Sequence, residues 1–287
     1  MARSTSEADI LAIAREADAV LVTYARLPAA LLCQLQRCKV IGRFGLGVDN
    51  IDLPAASQLG IVVTYVPDYC LHEVSDHAMA LILALARKVA YANSLVQSGR
   101  WEMKAVAPLH RLKDQILGLV GFGNIPRLIA PKASVFGLKV MAHDPYISKA
   151  IADAHGVELV GFEQILERSD FLSVHTPLTA QTKRMFNGAA FRKMKRGAFF
   201  INTARGALVD EADLLQALES GHLGGAALDV VAEEPLSSNS PLLGRANVIL
   251  TPHIAFYSVE ALVELQTKCA TDVARVLSGE APVYPAK

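Results

Sequence analysis

The sequence predicts an α/β protein built on a doubly wound parallel sheet, and three observations carry that expectation. Short apolar runs alternate with stretches of helical periodicity along the whole chain. A glycine-rich turn, Gly121-Phe122-Gly123, joins one such run to a helical stretch. The chemically capable side chains of the second half fall just after strand-like runs, where open parallel sheets bind their ligands.

The elements follow in order. Apolar spacing predicts a helix over 7–17, a strand over 19–22, a helix over 27–37 and a strand over 39–43 that runs into Gly45-Leu46-Gly47. A helix over 53–59, a strand over 60–64 and one long helix over about 73–98 come next. Residues 99–113 read as a connection, with Trp101 as a packing anchor. Strands are then expected at 116–120, 139–142, 171–174, 198–201, 225–228 and 248–250, with helices at 125–136, 161–168, 188–194 and 212–220. Such strand–helix–strand repetition needs crossover connections and gives parallel pairing. A last helix covers 258–277, and the tail 281–287 has no core of its own. Domains are expected at 93–257 and, discontinuously, at 1–92 plus 258–287.

Composition bounds the function. The 287 residues carry 28 Lys plus Arg against 28 Asp plus Glu, so no global field favours nucleic acid or an anionic membrane. The four cysteines show no C-x-x-C pair, which argues against structural zinc or a disulfide frame. The apolar run 78–86 is far shorter than the roughly 20 residues that span a bilayer. No signal-like apolar core follows Met1, so a cytoplasmic protein is expected. The histidines lack metal-ligand spacing, and no metal is expected.

The strand ends carry the chemistry. Gly121 suits a tight turn and Gly123 a close approach of backbone to a pyrophosphate. The helix opening at Asn124 and Ile125 offers unpaired amides and a positive dipole end to that phosphate. Asp144 lies 21 positions past Gly123, at the place where an acid takes the ribose hydroxyls and repels a 2′-phosphate, so NAD is expected over NADP. Pro126 stands where a third glycine is usual. Proline in a first helical turn forfeits only an amide that has no intrahelical partner.

Reducing a 2-keto acid needs a cation for the carboxylate, an acid for the developing alkoxide, and a group that keeps this acid charged. Arg205, His253 and Glu234 are side chains of those kinds. Taken singly, each could equally be a surface arginine, a strand-capping histidine or a solvated glutamate.

The runs Phe200-Ile-Asn-Thr-Ala-Arg205-Gly206, Ala226-Ala-Leu-Asp229-Val with Glu233-Glu234-Pro235, and Thr251-Pro-His253-Ile-Ala resemble those of D-isomer-specific 2-hydroxyacid dehydrogenases. Gly45-Leu-Gly47-Val-Asp49-Asn-Ile-Asp52 and the stretch from Val66 to His77 are similar to that family as well. The likeness is nearest to the branch of phosphoglycerate dehydrogenases and C-terminal-binding proteins. It implies an NAD-binding Rossmann domain and a smaller flavodoxin-like substrate domain that is truncated at its N-terminus. Its missing first strand would leave sheet edges exposed.

The resemblance also implies roles. Arg205 becomes the substrate-binding arginine, His253 the general acid/base and Glu234 its partner. Thr176, Thr203, Ala204, Arg205, Asp229 and His253 line the NAD site, and Leu46, Gly47 and Val48 present amides to a small 2-keto or 2-hydroxy acid. A homodimer formed through the cofactor domain is implied, with 99–113 contributing. The alternative is an NAD(H)-responsive binding protein or corepressor of the same fold. His77 and His72 are expected to be satisfied structural histidines, and His175 to position the Thr176-Pro177 turn.

Overall fold

The computed structural model describes residues 6–286, so part of the N-terminal stretch inspected for a signal lies outside them. The chain divides into two compact units: the residues up to Cys70 with those from Tyr257 onward, and Leu71–Phe256.

The first unit opens with α1 (Glu7–Ala14), capped by the Ser6 hydroxyl, which accepts from the Asp9 amide at 3.2 Å. There follow β1 (Ala19–Val22), α2 (Ala29–Leu32), β2 (Val40–Arg43), α3 (Leu53–Gln58) and β3 (Val62–Thr64). The strands pair in parallel in the order β1-β2-β3. The helix expected over 27–37 shrinks to a single turn. Leu27 is drawn into a parallel bridge with Ile51, its amide donating to Asn50 O at 2.8 Å. That extended backbone cannot also be helical.

In the second unit the long helix expected over 73–98 is two helices, α4 (Leu71–Arg87) and α5 (Val89–Gln97), meeting at 62°. Lys88 between them has φ +50°, a left-handed conformation that a right-handed helix cannot pass through. After a short 3-10 turn at Met103–Val106 come β4 (Ile116–Val120), α6 (Asn124–Val135), β5 (Lys139–His143), α7 (Lys149–Ala154), β6 (Glu158–Leu159), α8 (Phe162–Arg168) and β7 (Phe171–Val174). They continue with α9 (Gly188–Lys193), β8 (Phe199–Asn202), α10 (Glu211–Glu219), β9 (Gly225–Leu228) and β10 (Val248–Leu250).

The sheet runs β10-β9-β8-β7-β4-β5-β6, every neighbouring pair parallel. Strand order departs from β4 in both directions, so the switch point lies between β4 and β7, where a ligand crevice is expected. One face buries Ile165, Phe191 and Leu214 from α8, α9 and α10. The other buries Ile82 of α4 and Ile129 of α6. Because α4 covers the sheet with Ala78, Leu81 and Ile82, the chain divides by packing at 70/71, whereas the sequence pattern places the boundary at 92/93.

The C-terminal α11 (Val259–Leu277) packs on β2 and β3 of the first unit. Gly42 permits this: a Cβ there would lie 2.6 Å from Val273. Asp272, 2% exposed, accepts from the Val283 and Tyr284 amides at 2.6 and 3.1 Å. The tail is thereby laid along β3, with an antiparallel Thr64–Pro285 bridge and the Ala286 amide on Val63 O at 2.8 Å. The tail, which has no core of its own, packs against the unit along the open side of β3. Trp101 is a further correction: at 88% exposure it anchors no packing within the chain.

Candidate active site

All strands of the larger sheet are parallel, so their C-terminal ends share one rim, and the predicted residues of the second half of the chain follow those strand ends. The rim begins with the turn after β4. Gly121 has φ +92°, and a Cβ on it would lie 2.7 Å from His175 O. Only glycine lets the β4 and β7 loops touch at this point. A Cβ on Gly123 would meet nothing within 4 Å, so open space faces the turn. The helix α6 then starts at Asn124, and the first-turn amides of Asn124 and Ile125 have no intrahelical acceptor. Pro126 is buried in that first turn, where its missing amide breaks no helical bond.

Asp144, just past β5, accepts from the Phe122 amide at 2.8 Å and from the Tyr146 amide at 2.9 Å, one on each oxygen. The acid therefore ties the glycine turn to β5, and each oxygen keeps a further lone pair for a ribose hydroxyl. Thr203 Oγ1 is buried without a hydrogen-bond partner, which is costly unless a ligand supplies one. An open glycine turn, helix-end amides, an acid with lone pairs to spare and this orphaned hydroxyl fit a dinucleotide.

His175 is held by Ser173, its Nε2 2.8 Å from the hydroxyl. Burial alone pushes its pKa down to about 3, so the ring is neutral. His143 Nδ1 lies 3.1 Å from Val160 O, and its ring packs beside Phe162. Leu46, Gly47 and Val48 lie in the first unit, in the loop after β2, where Leu46 is 39% exposed and Gly45 has φ +146°.

The charged residues meet on the loops after β8, β9 and β10. His253 Nδ1 lies 2.7 Å from Glu234 Oε2, with both side chains about one-third exposed. Glu234 Oε1 accepts from the Val231 amide at 3.3 Å. Burial alone would raise the Glu234 carboxyl. The His253 hydrogen bond and charge, the Val231 amide and the Arg205 charge outweigh it and hold the carboxyl below its ordinary 4.5. The Arg205 charge thus acts on the Glu234 carboxylate. Glu234, rather than Glu233, is the partner.

Residues that sequence reasoning left without a role set this arrangement. Buried Asn202 clasps the Arg205 turn, accepting from the Ala204 amide at 2.9 Å and donating to Arg205 O at 2.9 Å. Glu211 accepts from the Ala232 amide at 2.6 Å and so holds the Glu234 loop. Asp229 is the residue that the resemblance places in the lining of the NAD site. Its side chain is 1% exposed and accepts from the Thr251 hydroxyl at 2.6 Å and from the Ile254 and Ala255 amides at 3.0 and 2.9 Å. The loop after β10 therefore wraps around Asp229. His253 sits in that loop at φ +54°, its amide on Asp229 O at 2.8 Å. Asn202 and Asp229 both stood in the quoted motifs, but a motif does not say which backbone groups a side chain satisfies.

Fold and rim together define a Rossmann-type dinucleotide-binding protein. Residues 79–255 match the family model described as "D-isomer specific 2-hydroxyacid dehydrogenase, NAD binding domain". The chain belongs to the D-isomer specific 2-hydroxyacid dehydrogenase family. It is 40% identical over 275 residues to D-3-phosphoglycerate dehydrogenase of Synechocystis, covering 96% of this chain and 49% of that protein. The chain spans about half the length of the curated relatives it matches. A crystal structure of a protein from Thermus thermophilus superposes with a TM-score of 0.90 at 34% identity, over 98% of this chain and 89% of that one. D-lactate dehydrogenase from Aquifex aeolicus, complexed with NAD and lactic acid, gives 0.87 at 28% identity, over 96% and 86%. Among the described residues no single helix is long and apolar enough to cross a membrane.

Proposed function

We propose that this chain transfers a hydride between NAD and a small D-2-hydroxy acid or its 2-keto acid. The observation that carries the reading is the His253–Glu234 hydrogen bond of 2.7 Å, with the Arg205 charge acting on that glutamate.

NAD, when bound, supplies the hydride acceptor or donor at its nicotinamide. Gly121, Gly123, Asn124, Ile125 and Asp144 would hold its pyrophosphate and adenosine ribose, and Thr176, Thr203, Ala204 and Asp229 would line the remainder. Arg205 carries a permanent, planar charge suited to a bidentate grip on the substrate carboxylate. Leu46, Gly47 and Val48 keep the substrate-binding assignment that the family likeness gives them. The Glu234 carboxylate can only accept, so Nδ1 of His253 carries a proton and Nε2 is the atom that exchanges one. In the reducing direction Glu234 supports the positive charge of the doubly protonated ring until Nε2 gives its proton to the substrate oxygen, which leaves the imidazole neutral. In the oxidising direction Nε2 takes it back.

A glutamate partner favours this chemistry over oxidation of a substrate such as formate, which produces no alkoxide to protonate. The relatives named for 3-phosphoglycerate and lactate bracket the substrate class without choosing within it. The larger unit is read as the NAD domain and the smaller as the substrate domain. Exposed Val89, Val96, Trp101 and Met103 on one stretch of the larger unit support a homodimer. Few, unpatterned cysteines support a cytoplasmic location.

The test is a panel of glyoxylate, pyruvate, hydroxypyruvate, 3-phosphohydroxypyruvate and phenylpyruvate with NADH, followed by loss of nicotinamide absorbance. Turnover with at least one, abolished by His253→Asn, is expected. Tight NADH binding with no turnover on any would replace the enzyme by an NAD(H)-responsive binding protein. Sedimentation at micromolar protein checks the dimer, and a monomer there would remove it.

A further inference from the structure

His77 lies in the middle of α4, on a different element from every residue assigned to the chemistry, with its side chain 21% exposed. Its Nε2 is 3.0 Å from Thr251 Oγ1 and 3.6 Å from Asp229 Oδ1. Thr251 Oγ1 is in turn 2.6 Å from Asp229 Oδ1. Counting protons fixes the direction of this chain. A threonine hydroxyl has one hydrogen, and a carboxylate can only accept, so that hydrogen points at Asp229. Thr251 Oγ1 must then accept from His77, and Nε2 is the ring nitrogen bearing hydrogen. The sequence runs from imidazole N–H to hydroxyl to carboxylate, each link with one possible polarity.

We propose that His77 is a positioning residue for the general acid/base, acting through Thr251 and Asp229; this rests on the function proposed above. The segment from Thr251 to Ala255 closes around the Asp229 carboxylate by three donors, and His253 is its midpoint, in a left-handed conformation. A non-glycine residue at positive φ persists only where its surroundings over-determine it. Asp229 determines the loop from within, and His77 determines the rotamer of Thr251, the first residue of that loop. Without the His77 donor the Thr251 hydroxyl keeps only its bond to Asp229, so one partner instead of two holds its rotamer. The loop then relaxes, and His253 drifts from Glu234.

His77 is bonded at Thr251 and Asp229 and not at the glycine turn or Asp144, so its loss should spare the contacts that hold the pyrophosphate and the adenosine ribose. The expected result for His77→Leu is a fall in kcat of roughly 10- to 100-fold, the scale of a small misplacement at the reacting centre, with the NADH dissociation constant unchanged. His77→Gln, which keeps a side-chain N–H donor, should recover most of that loss. Thr251→Val should match His77→Leu, and the double variant should be no worse than either, because both cut one chain.

A second readout needs no substrate. Hydrogen exchange followed by mass spectrometry should show faster exchange of the peptide containing the Ile254 and Ala255 amides in His77→Leu, and wild-type exchange in His77→Gln. If the wild-type protein reduces no keto acid, the proposed function fails while the exchange result still decides the role of His77. Unchanged exchange in His77→Leu, or equal losses in His77→Leu and His77→Gln, would overturn the proposal.

Discussion

A Cβ at position 206 would lie 1.9 Å from the carbonyl carbon and oxygen of Val231, so Gly206 is what allows the loop bearing Glu234 to rest against the loop bearing Arg205. A backbone contact thus registers the arginine loop against the glutamate loop.

Gly206→Ala should therefore separate them. We expect kcat/KM for keto-acid reduction to fall by roughly 100-fold, and stability to fall by about 1–3 kcal/mol from overpacking. Steady-state kinetics together with urea denaturation check both. Wild-type kcat/KM in a folded Gly206→Ala protein would show that the two loops are registered by something else.

Glu234→Gln removes the charge beside His253 and keeps the shape. Turnover in the reducing direction should drop, because the neutral amide no longer supports the charge of the protonated ring. The stability effect has a definite sign. The folded carboxyl titrates below its ordinary 4.5, so its contribution is present above that value and is lost as pH falls through the folded value. The wild type should thus lose its advantage over Glu234→Gln in melting temperature below about pH 4.5, and a constant gap would contradict the assigned pairing.

His175 behaves in the opposite chemical sense. Its folded pKa is pushed from 6.5 to about 3 by burial, so between these values the unfolded chain binds a proton that the folded one does not. Stability should decline as pH falls from 6.5 toward 3, and His175→Asn should flatten that slope. Chemical denaturation at several pH values measures it, and parallel curves for the two proteins would count against a neutral buried ring.

Asp144→Ala should weaken NADH binding by about tenfold or more, since it removes the ribose acceptor and also frees the Phe122 and Tyr146 amides. Discrimination against NADPH should narrow as the negative charge disappears. Fluorescence titration with the two cofactors tests this. An unchanged ratio of affinities would mean that selectivity lies elsewhere.

Pro126→Gly should act on binding and stability in contrary directions. An amide returns to the first turn of α6, and NADH affinity should rise by a few-fold, the scale of one added hydrogen bond. The unfolded chain gains freedom, and stability should fall by roughly 0.4–1 kcal/mol. NADH titration and urea midpoints separate the two effects.

Much of the fold was legible because it is periodic. Ile116–Val120, Phe171–Val174, Gly225–Leu228 and Val248–Leu250 fall where apolar runs place them. Deviations arise where a single tertiary event overrides local pattern: the Lys88 kink, the Leu27–Ile51 bridge and the two-residue β6 that needs β5 beside it. At the site, residue types and order pointed to Arg205, Glu234 and His253, since charge and titration range belong to the side chain alone. Asn202, Gly206, Glu211 and His77 were not legible in the same way. Their importance lies in which backbone or hydroxyl they meet, and the partners of His77 are 152 and 174 positions away along the chain.

The left-handed backbone at His253 bears on how its chemistry can be dissected. Asparagine and glycine accept that conformation readily, whereas valine or isoleucine would force the peptide into another basin. An inactive β-branched variant would report a collapsed turn as much as a lost proton donor. Asparagine is the substitution that interrogates the imidazole while leaving the main chain undisturbed.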